Sequence, residues 1–412
     1  MDPTALLGLL GTVAGVVGVY YARAALSNSH EQRSRDAFLH THSVLRRDRI
    51  ALEARAAQLH LAADPTLQRV GGTDMLTRAD LLLQTPIPLT DVKLEWATQA
   101  PGTTPGIARA AAKTLPKQAA GSRFRRFSHA LEELARPALL SDRPSYRLQS
   151  ANWTAQPPRL TFGPCTYFEM LDVSMPLAHE LARERRRQPG WRELPLRAHF
   201  RRDILALDRR VLLPGIATLT LRKHRHGPAT FLLHWRDPSN VAQGGGVFEV
   251  VPAGVFQPAL DSPLSERDDL NLWRSLMREF AEEILGMEEA EGGPGDEIDY
   301  RATEPYRTLQ RGLNSHRLHV SYFGFGVEPL GLVSAFMTAA VFEPSFFDQA
   351  FPHVVHDNAE GILQVGTRTR TGVTGLPFTE DKVREILHGG RVAPAAAACL
   401  HLAWEHRAQL LG

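Results

Sequence analysis

Cysteine is nearly absent from this 412-residue chain, which carries only Cys165 and Cys399. Two thiols exclude a disulfide framework and suit a reducing compartment. No Cys/His spacing of the zinc-binding kind occurs, so a structural zinc module is excluded as well. Charge of one sign is also missing. Forty-seven Lys and Arg against 45 Asp and Glu leave a formal net charge of +2, which exerts no global pull toward nucleic acid. There is no repeat of fixed period. With 43% hydrophobic and 22% charged residues, the composition is that of an ordinary globular protein. The length exceeds one average domain, and two domains plus an N-terminal segment are the expectation.

Charge is absent altogether from Pro3 to Ala22, a run of Leu, Val, Ala, Gly and Thr closed by Tyr20 and Tyr21. About 20 residues at about 1.5 Å each match a hydrocarbon core of roughly 30 Å. The tyrosines sit where an interfacial aromatic belt would lie, and Arg23, Arg33, Arg35, Arg46, Arg47 and Arg49 follow, against Asp2 on the other side. A cleaved signal peptide would need a positive start, which Met1, Asp2 and Pro3 do not provide. The pattern predicts a transmembrane anchor over 3–22, a single-pass membrane protein and a cytoplasmic C-terminal bulk. Gly11 and Gly15 form a close-packing motif that admits a homodimer through the anchor.

Four parts are expected: the anchor at 3–22, a juxtamembrane helix at 27–65, a middle module at 66–205 and an α/β domain at 206–412. Ser27 to Ala63 reads as a long charged helix with sparse apolar points at Phe38, Val44, Leu45, Leu52 and Leu59, ended by Asp64 and Pro65. Residues Val92 to Trp96 read as a strand, and Ile107 to Ser122, rich in Ala and Lys, as a mobile segment. Phe124, Phe127, Tyr146, Trp153, Phe162, Tyr167 and Phe168 give the middle module the mass for a core. The basic runs at 183–187 and 222–226 read as solvated termini and loops, with phosphate contact as the sharper alternative. Leu318 to Gly326 is a strand, Leu332 to Phe342 fits strand or helix, and Thr379 to His388 opens like a capped helix.

The densest chemical signal is Arg278-Glu279-Phe280-Ala281-Glu282-Glu283. Trp273, Met277, Phe280 and Ile284 recur at helical spacing and predict a buried stripe. Gly286 stands where a left-handed C-cap is expected. Residues three and four apart share a helix face, which directs Glu279, Glu282 and Glu283 toward a common point. Like charges that close raise each other's pKa unless a cation neutralises them, and a hard, oxygen-seeking ion such as Mg2+ is the natural one. The bland alternative is a solvated face with an Arg278–Glu282 pair. Upstream, Gly246 to Gly254 alternates like a strand and ends in a Pro/Gly turn.

This strand, turn, loop and acidic helix resemble the Nudix box, G-x5-E-x7-R-E-U-x-E-E-x-G-U, where U is a bulky apolar residue. The R-E-U-x-E-E half is matched in full by Arg278, Glu279, Glu282 and Glu283; Gly254 and Gly286 stand for the two glycines. The resemblance implies a Nudix-like α/β/α sandwich in the C-terminal half and a hydrolase that cleaves a nucleoside diphosphate derivative. It implies Mg2+, with Mn2+ as the alternative, held by Glu279, Glu282 and Glu283. It further implies that Glu279 orients the attacking water and that Arg278 secures the loop by ion-pairing. A nucleotide-type small molecule is thus the expected partner.

The chain departs from the pattern in three places. Leu260 stands where the first glutamate belongs, with Glu266 and Asp268 as candidate replacements. The loop before Arg278 is about ten residues longer, and Leu285 is inserted before Gly286. Glu343 and Glu360 are candidates for a further acidic ligand, and Arg368 and Arg370 for phosphate capture. A catalytically inactive nucleotide sensor and a membrane-tethered interaction protein are the alternative functions.

Overall fold

The computed structural model describes residues 29–412 apart from 99–103, 119–121, 185–188, 238–244, 289–296, 356–360, 365–367, 370, 371, 374 and 390. In chain order the first half runs α1 (29–47), α2 (Arg49–Ala63), β1 (Leu67–Arg69), β2 (Leu76–Arg78), β3 (Leu82–Pro88), β4 (Lys93–Trp96), α3 (Pro105–Ala112), α4 (Phe127–Ala135), β5 (Pro144–Asn152), β6 (Arg159–Thr166) and α5 (Tyr167–Arg183). The second half begins β7 (Pro214–Arg222), β8 (Thr230–Phe231), β9 (Leu233–Arg236), β10 (Phe248–Val250), β11 (Ala253–Val255), α6 (Pro263–Asp268), α7 (Leu272–Glu283), α8 (Tyr306–Asn314), β12 (Leu318–Val327) and β13 (Ser334–Phe342). It closes with α9 (Pro344–Ala350), β14 (Gly361–Gln364), β15 (Arg368–Thr369), β16 (Gly372–Val373), β17 (Leu376–Pro377), α10 (Glu380–Gly389), α11 (Pro394–Glu405) and α12 (Arg407–Leu411).

The main sheet is centred on β12, β13 and β7. Strand β13 runs antiparallel to β12 and parallel to β7, with Phe336 opposite Ile216 and Val341 opposite Leu221. Every residue of β13 is buried, as expected of a strand covered on both faces. Its alternation sorts side chains into two cores. Phe336, Ala340 and Phe342 join α7, α8 and α9 on one face; Ala335, Met337, Ala339 and Val341 join α10 and α11 on the other. The segment from Leu332 to Phe342, open to either reading in sequence, is therefore a strand because both of its faces are apolar. The result is a mixed α/β fold whose main sheet has helices on both sides.

Strands β1, β2 and β3 also belong to this sheet, through pairs such as Val327 with Leu76 and Tyr322 with Ile87. The expected division placed them in the middle module. The rest of that module is a three-stranded sheet, β4–β6–β5, beside α5. Helix α5 begins with a reciprocal capping box between Thr166 and Glu169. The start of the stretch from Ile107 to Ser122, expected to be mobile, instead belongs to α3, because Ile107 and Ala111 are buried in the large core.

The long N-terminal helix is broken at Asp48 into α1 and α2. Its sparse apolar points are not solvated: Phe38, Leu45 and Leu52 pack with Phe127, Leu131, Leu171 and Leu181. Among the described residues no helix is long and apolar enough to cross a membrane. This corrects the expectation of a single-pass membrane protein with a cytoplasmic bulk. The longest helices described are interrupted by charge, α1 by Glu31, Arg33, Arg35 and Asp36 and α5 by Glu169, Asp172 and Glu180. The 3–22 segment and the glycines proposed to pair it lie outside the described residues.

The α1–α5 contact is expected to weaken in acid. His42 Nδ1 lies 3.4 Å from His179 Nε2, and His179 packs between the rings of Phe38 and Phe127. Burial, then the Arg46 charge, lowers His42 from 6.5 to about 4. Burial, followed by His42 and Arg183, holds His179 well below its usual value. Both imidazoles fold neutral, so their contribution is complete above the unfolded pKa and is lost as pH falls from 6.5 toward 4. Chemical denaturation across that window should show a steeper loss of stability in the wild type than in a His42→Leu, His179→Leu variant.

Candidate functional site

Helix α7 is specified by its ends and its stripe. Asn271 caps it, accepting hydrogen bonds from the backbone N–H groups of Trp273 and Arg274. Gly286 follows with φ of +68°, and the C-terminal carbonyls are closed by Gly286 N to Glu282 O and Met287 N to Ala281 O. Leu272, Trp273, Leu276, Met277, Phe280 and Ala281 are buried. Phe280 is wedged between Phe342 and Phe351, and its burial contributes about 1.5–3 kcal/mol. With the apolar face fixed, the remaining positions direct Arg278 and the glutamates.

Glu279 and Glu283, one turn apart, both reach β11. The Ala253 N–H donates to Glu283 Oε1 at 2.8 Å. The Glu279 carboxylate lies over Gly254, where a Cβ would stand 2.0 Å from Glu279 Cδ. Residue 254 must therefore be glycine for Glu279 to occupy this place, whatever its backbone angles. The long strand expected over 246–254 is divided: β10 pairs with β9, while β11 pairs with β7. That division carries residues 253 and 254 to the main sheet beside α7.

Replacing Gly254 with Ala is expected to push the Glu279 carboxylate, the movable end of its side chain, out of place at the cost of an off-rotamer side chain, about 0.5–1.5 kcal/mol. The cost should be much smaller in a Glu279→Ala background, giving a coupling detectable by a double-mutant cycle in urea. Additive losses would break the stated contact.

Glu283 is buried and Glu279 and Glu282 are half-buried. On the other side of Glu283, His234 Nδ1 is 3.4 Å from Oε2. The Glu282 charge bears instead on Tyr306, whose phenol is raised by burial first and Glu282 second. Among the described residues no group of three or more His, Cys, Asp or Glu is placed to hold a metal ion. The three glutamates thus do not form one ligand set. Glu283 and Glu279 meet β11 at residues 253 and 254.

Arg278 secures the loop, but with a different acid from those expected. Its guanidinium donates to the Gln257 carbonyl at 2.6 Å and to the Tyr300 hydroxyl, and lies 3.4 Å from Asp269 Oδ1. Burial opposes the charge, yet Tyr300 and Asp269 more than offset it and Arg278 is raised. Asp269 also accepts from Tyr300 at 2.7 Å, from Ser265 Oγ at 2.7 Å and from Ala259 N at 2.9 Å. Glu266 and Asp268 do not serve: Asp268 is exposed, and Glu266 offers its backbone carbonyl to Tyr146. The extra loop length folds into α6, capped by Ser262, and Leu260 at the acid's place in the pattern is buried.

The other candidates stand apart. Glu343 precedes α9 and faces Lys223 at 3.8 Å. Glu360 and Arg370 lie outside the described residues, as do residues 185–187 of the basic run. His224 contacts Thr230 in its loop. A cavity of about 80 Å³ bounded by Asp64, Arg78, Arg202 and Asp203 has no α7 residue in its wall.

No protein-family model matches this chain, and no curated protein matches it. Among solved structures it is similar to a Nudix hydrolase from M. Smegmatis, RenU, with a TM-score of 0.23 and 15% identity over 48% of this chain and 86% of that one. It is also similar to a NUDIX hydrolase from Alicyclobacillus acidocaldarius, with a TM-score of 0.23 and 15% identity over 46% of this chain and 89% of that one. An overlap that loose does not define an activity.

Proposed function

We propose that the second half of the chain is a Nudix-like hydrolase domain that cleaves a nucleoside diphosphate derivative on the ledge formed by α7 and β11. One observation carries this reading: Glu279 and Glu283 are both delivered to Ala253 and Gly254, on a helix whose arginine is locked into the loop. The donor set suits a hard divalent ion, since Mg2+ is commonly held by one or two carboxylates, with water and substrate phosphate completing its shell. Glu279 and Glu283 would hold it. When bound, the ion would polarise a phosphoryl oxygen and lower the pKa of a coordinated water.

The chain's own residues do the rest. Arg278 fixes the 257–269 loop, so that α7 and β11 keep their spacing. The Ala253 N–H orients Glu283 by occupying one of its oxygens, which leaves the other directed away from that bond. Glu282, the carboxylate next in the string to Glu283, would accept the proton of the attacking water. A panel of nucleoside diphosphate derivatives incubated with Mg2+ tests the reading. Turnover abolished by chelation supports it, and no product above a protein-free control overturns it.

A second reading, a catalytically inactive nucleotide sensor, is favoured by the commitment of Glu283. Its carboxylate is buried, bonded to Ala253 and flanked by His234, a state in which it serves as a strand clamp. Nucleotide-dependent thermal stabilisation without product distinguishes this reading from the first.

A further inference from the structure

Helix α2 meets the main sheet through a charged contact with little exposure to water. Glu53 is 1% exposed, and its Oε2 accepts a hydrogen bond of 3.0 Å from the Leu330 N–H, in the turn between β12 and β13. Arg49, one helical turn earlier, serves two carboxylates: its Nη2 is 3.1 Å from Glu53 Oε1 and 3.6 Å from Glu328 Oε2. Glu328 opens the same β12–β13 turn and accepts from the Ala395 N–H at the start of α11. Arg197 fastens that turn separately, donating to the carbonyls of Pro329 and Leu330.

The charges at this contact are uneven. Beyond Arg49, Arg236 of β9 favours the charged form of Glu328, and Asp74 of the β1–β2 turn, itself paired with Arg69, opposes that of Glu53. Glu249 of β10 is buried beside Glu328 and Arg236, with Glu283 beyond it. Among the described residues, three largely buried carboxylates, Glu53, Glu328 and Glu249, thus answer to two guanidiniums, Arg49 and Arg236. A buried charge without a full partner tends to neutralise by binding a proton. Glu53 Oε1 makes no hydrogen bond among the described residues, so one oxygen is open to carry it.

We propose that Glu53 and Glu328 share one proton beside Arg49, which makes this contact a clasp that holds α2 to the β12–β13 turn and loosens in alkali. With the proton on Glu53, Oε2 still accepts from Leu330. Its loss leaves two carboxylates on one guanidinium, and their repulsion acts across the contact. Burial, ahead of the opposing Arg49 charge, raises Glu53 from 4.5, and burial raises Glu328 in the same way. The stability from this pair is therefore complete below 4.5 and is lost as pH rises toward the folded value. The His42–His179 pair works in the opposite sense and is complete above 6.5.

The test is urea denaturation of the full chain at pH 5, 7 and 8, for wild type and Glu53→Gln, with hydrogen exchange at the Leu330 amide followed in parallel. Gln copies the protonated side chain: it keeps an acceptor for Leu330 and cannot ionise. The variant is expected to fold about as well as wild type at pH 5. Above that, its folding equilibrium constant should gain on wild type by up to about tenfold per pH unit. Glu249, pushed by burial to about 8, adds one trend to both proteins, so the difference between them is the quantity read. Leu330 protection, corrected for the intrinsic exchange rate, should fall in wild type from pH 5 to pH 8 and hold in the variant.

A variant less stable than wild type at every pH would show Glu53 to be an ionised partner of Arg49 and would overturn the proposal. Unchanged Leu330 protection in wild type would overturn it as well, by placing the pH dependence outside the clasp. If Glu53→Gln does not fold, Glu328→Gln is measured in the same way and judged by the same two outcomes. A wild-type stability that rises from pH 7 to pH 8 contradicts the clasp without any variant.

Discussion

Changing Glu282 to Gln should lower Mg2+-dependent turnover by about 10²–10⁴-fold, the usual worth of a positioned general base, with little change in folding. The substitution keeps the shape of the side chain and removes its capacity to take a proton. The Ala253 bond belongs to Glu283 and the Gly254 contact to Glu279, so changing Glu282 leaves both in place. The change should therefore fall on kcat more than on KM. Equal rates for the two proteins would place proton transfer elsewhere, and a matching loss of stability would make Glu282 a structural residue.

Arg278→Ala should destabilise the protein by about 3–5 kcal/mol, the range seen when one partner of a buried ion pair is removed. Arg278 is 5% exposed and Asp269 4%. Without the guanidinium, Asp269 keeps hydrogen bonds from Tyr300, Ser265 and Ala259 but loses its compensating cation. The Gln257 carbonyl loses its donor at the same time. Adding Asp269→Asn to the alanine variant removes the uncompensated charge and should recover part of the loss. Urea denaturation reads both effects. A loss below about 1 kcal/mol, typical of an exposed pair, would show that the loop is held by other contacts.

These two residues mark what the sequence discloses and what it hides. Helix α7 was legible because its information is local: an apolar stripe at helical spacing, and Gly286 where a left-handed cap belongs. The acidic string was legible for the same reason. The partner of Arg278 was not, since the inserted loop folds into α6 and returns Asp269, nine positions before the arginine, in place of the acid the pattern puts eight before it. Counting back from Arg278, rather than forward from Gly254, would have brought Asp269 into view. His234 gave no signal at all, because a single histidine in a short strand looks like any core residue. Strand pairing over long separations was equally hidden: nothing around Leu76 announces a partner at Val327. The nitrogen and oxygen groups that draw residues 67–88 into the main sheet are backbone, and every sequence has them.

The most direct measurement is anomalous difference density from crystals of the full chain soaked in Mn2+. The account predicts a peak between the Glu279 and Glu283 carboxylates, beside Ala253 and Gly254, that disappears in a Glu279→Gln, Glu283→Gln variant. Crystals soaked in Mn2+ together with a nucleoside diphosphate that show no peak there, or that show one away from α7, would contradict it.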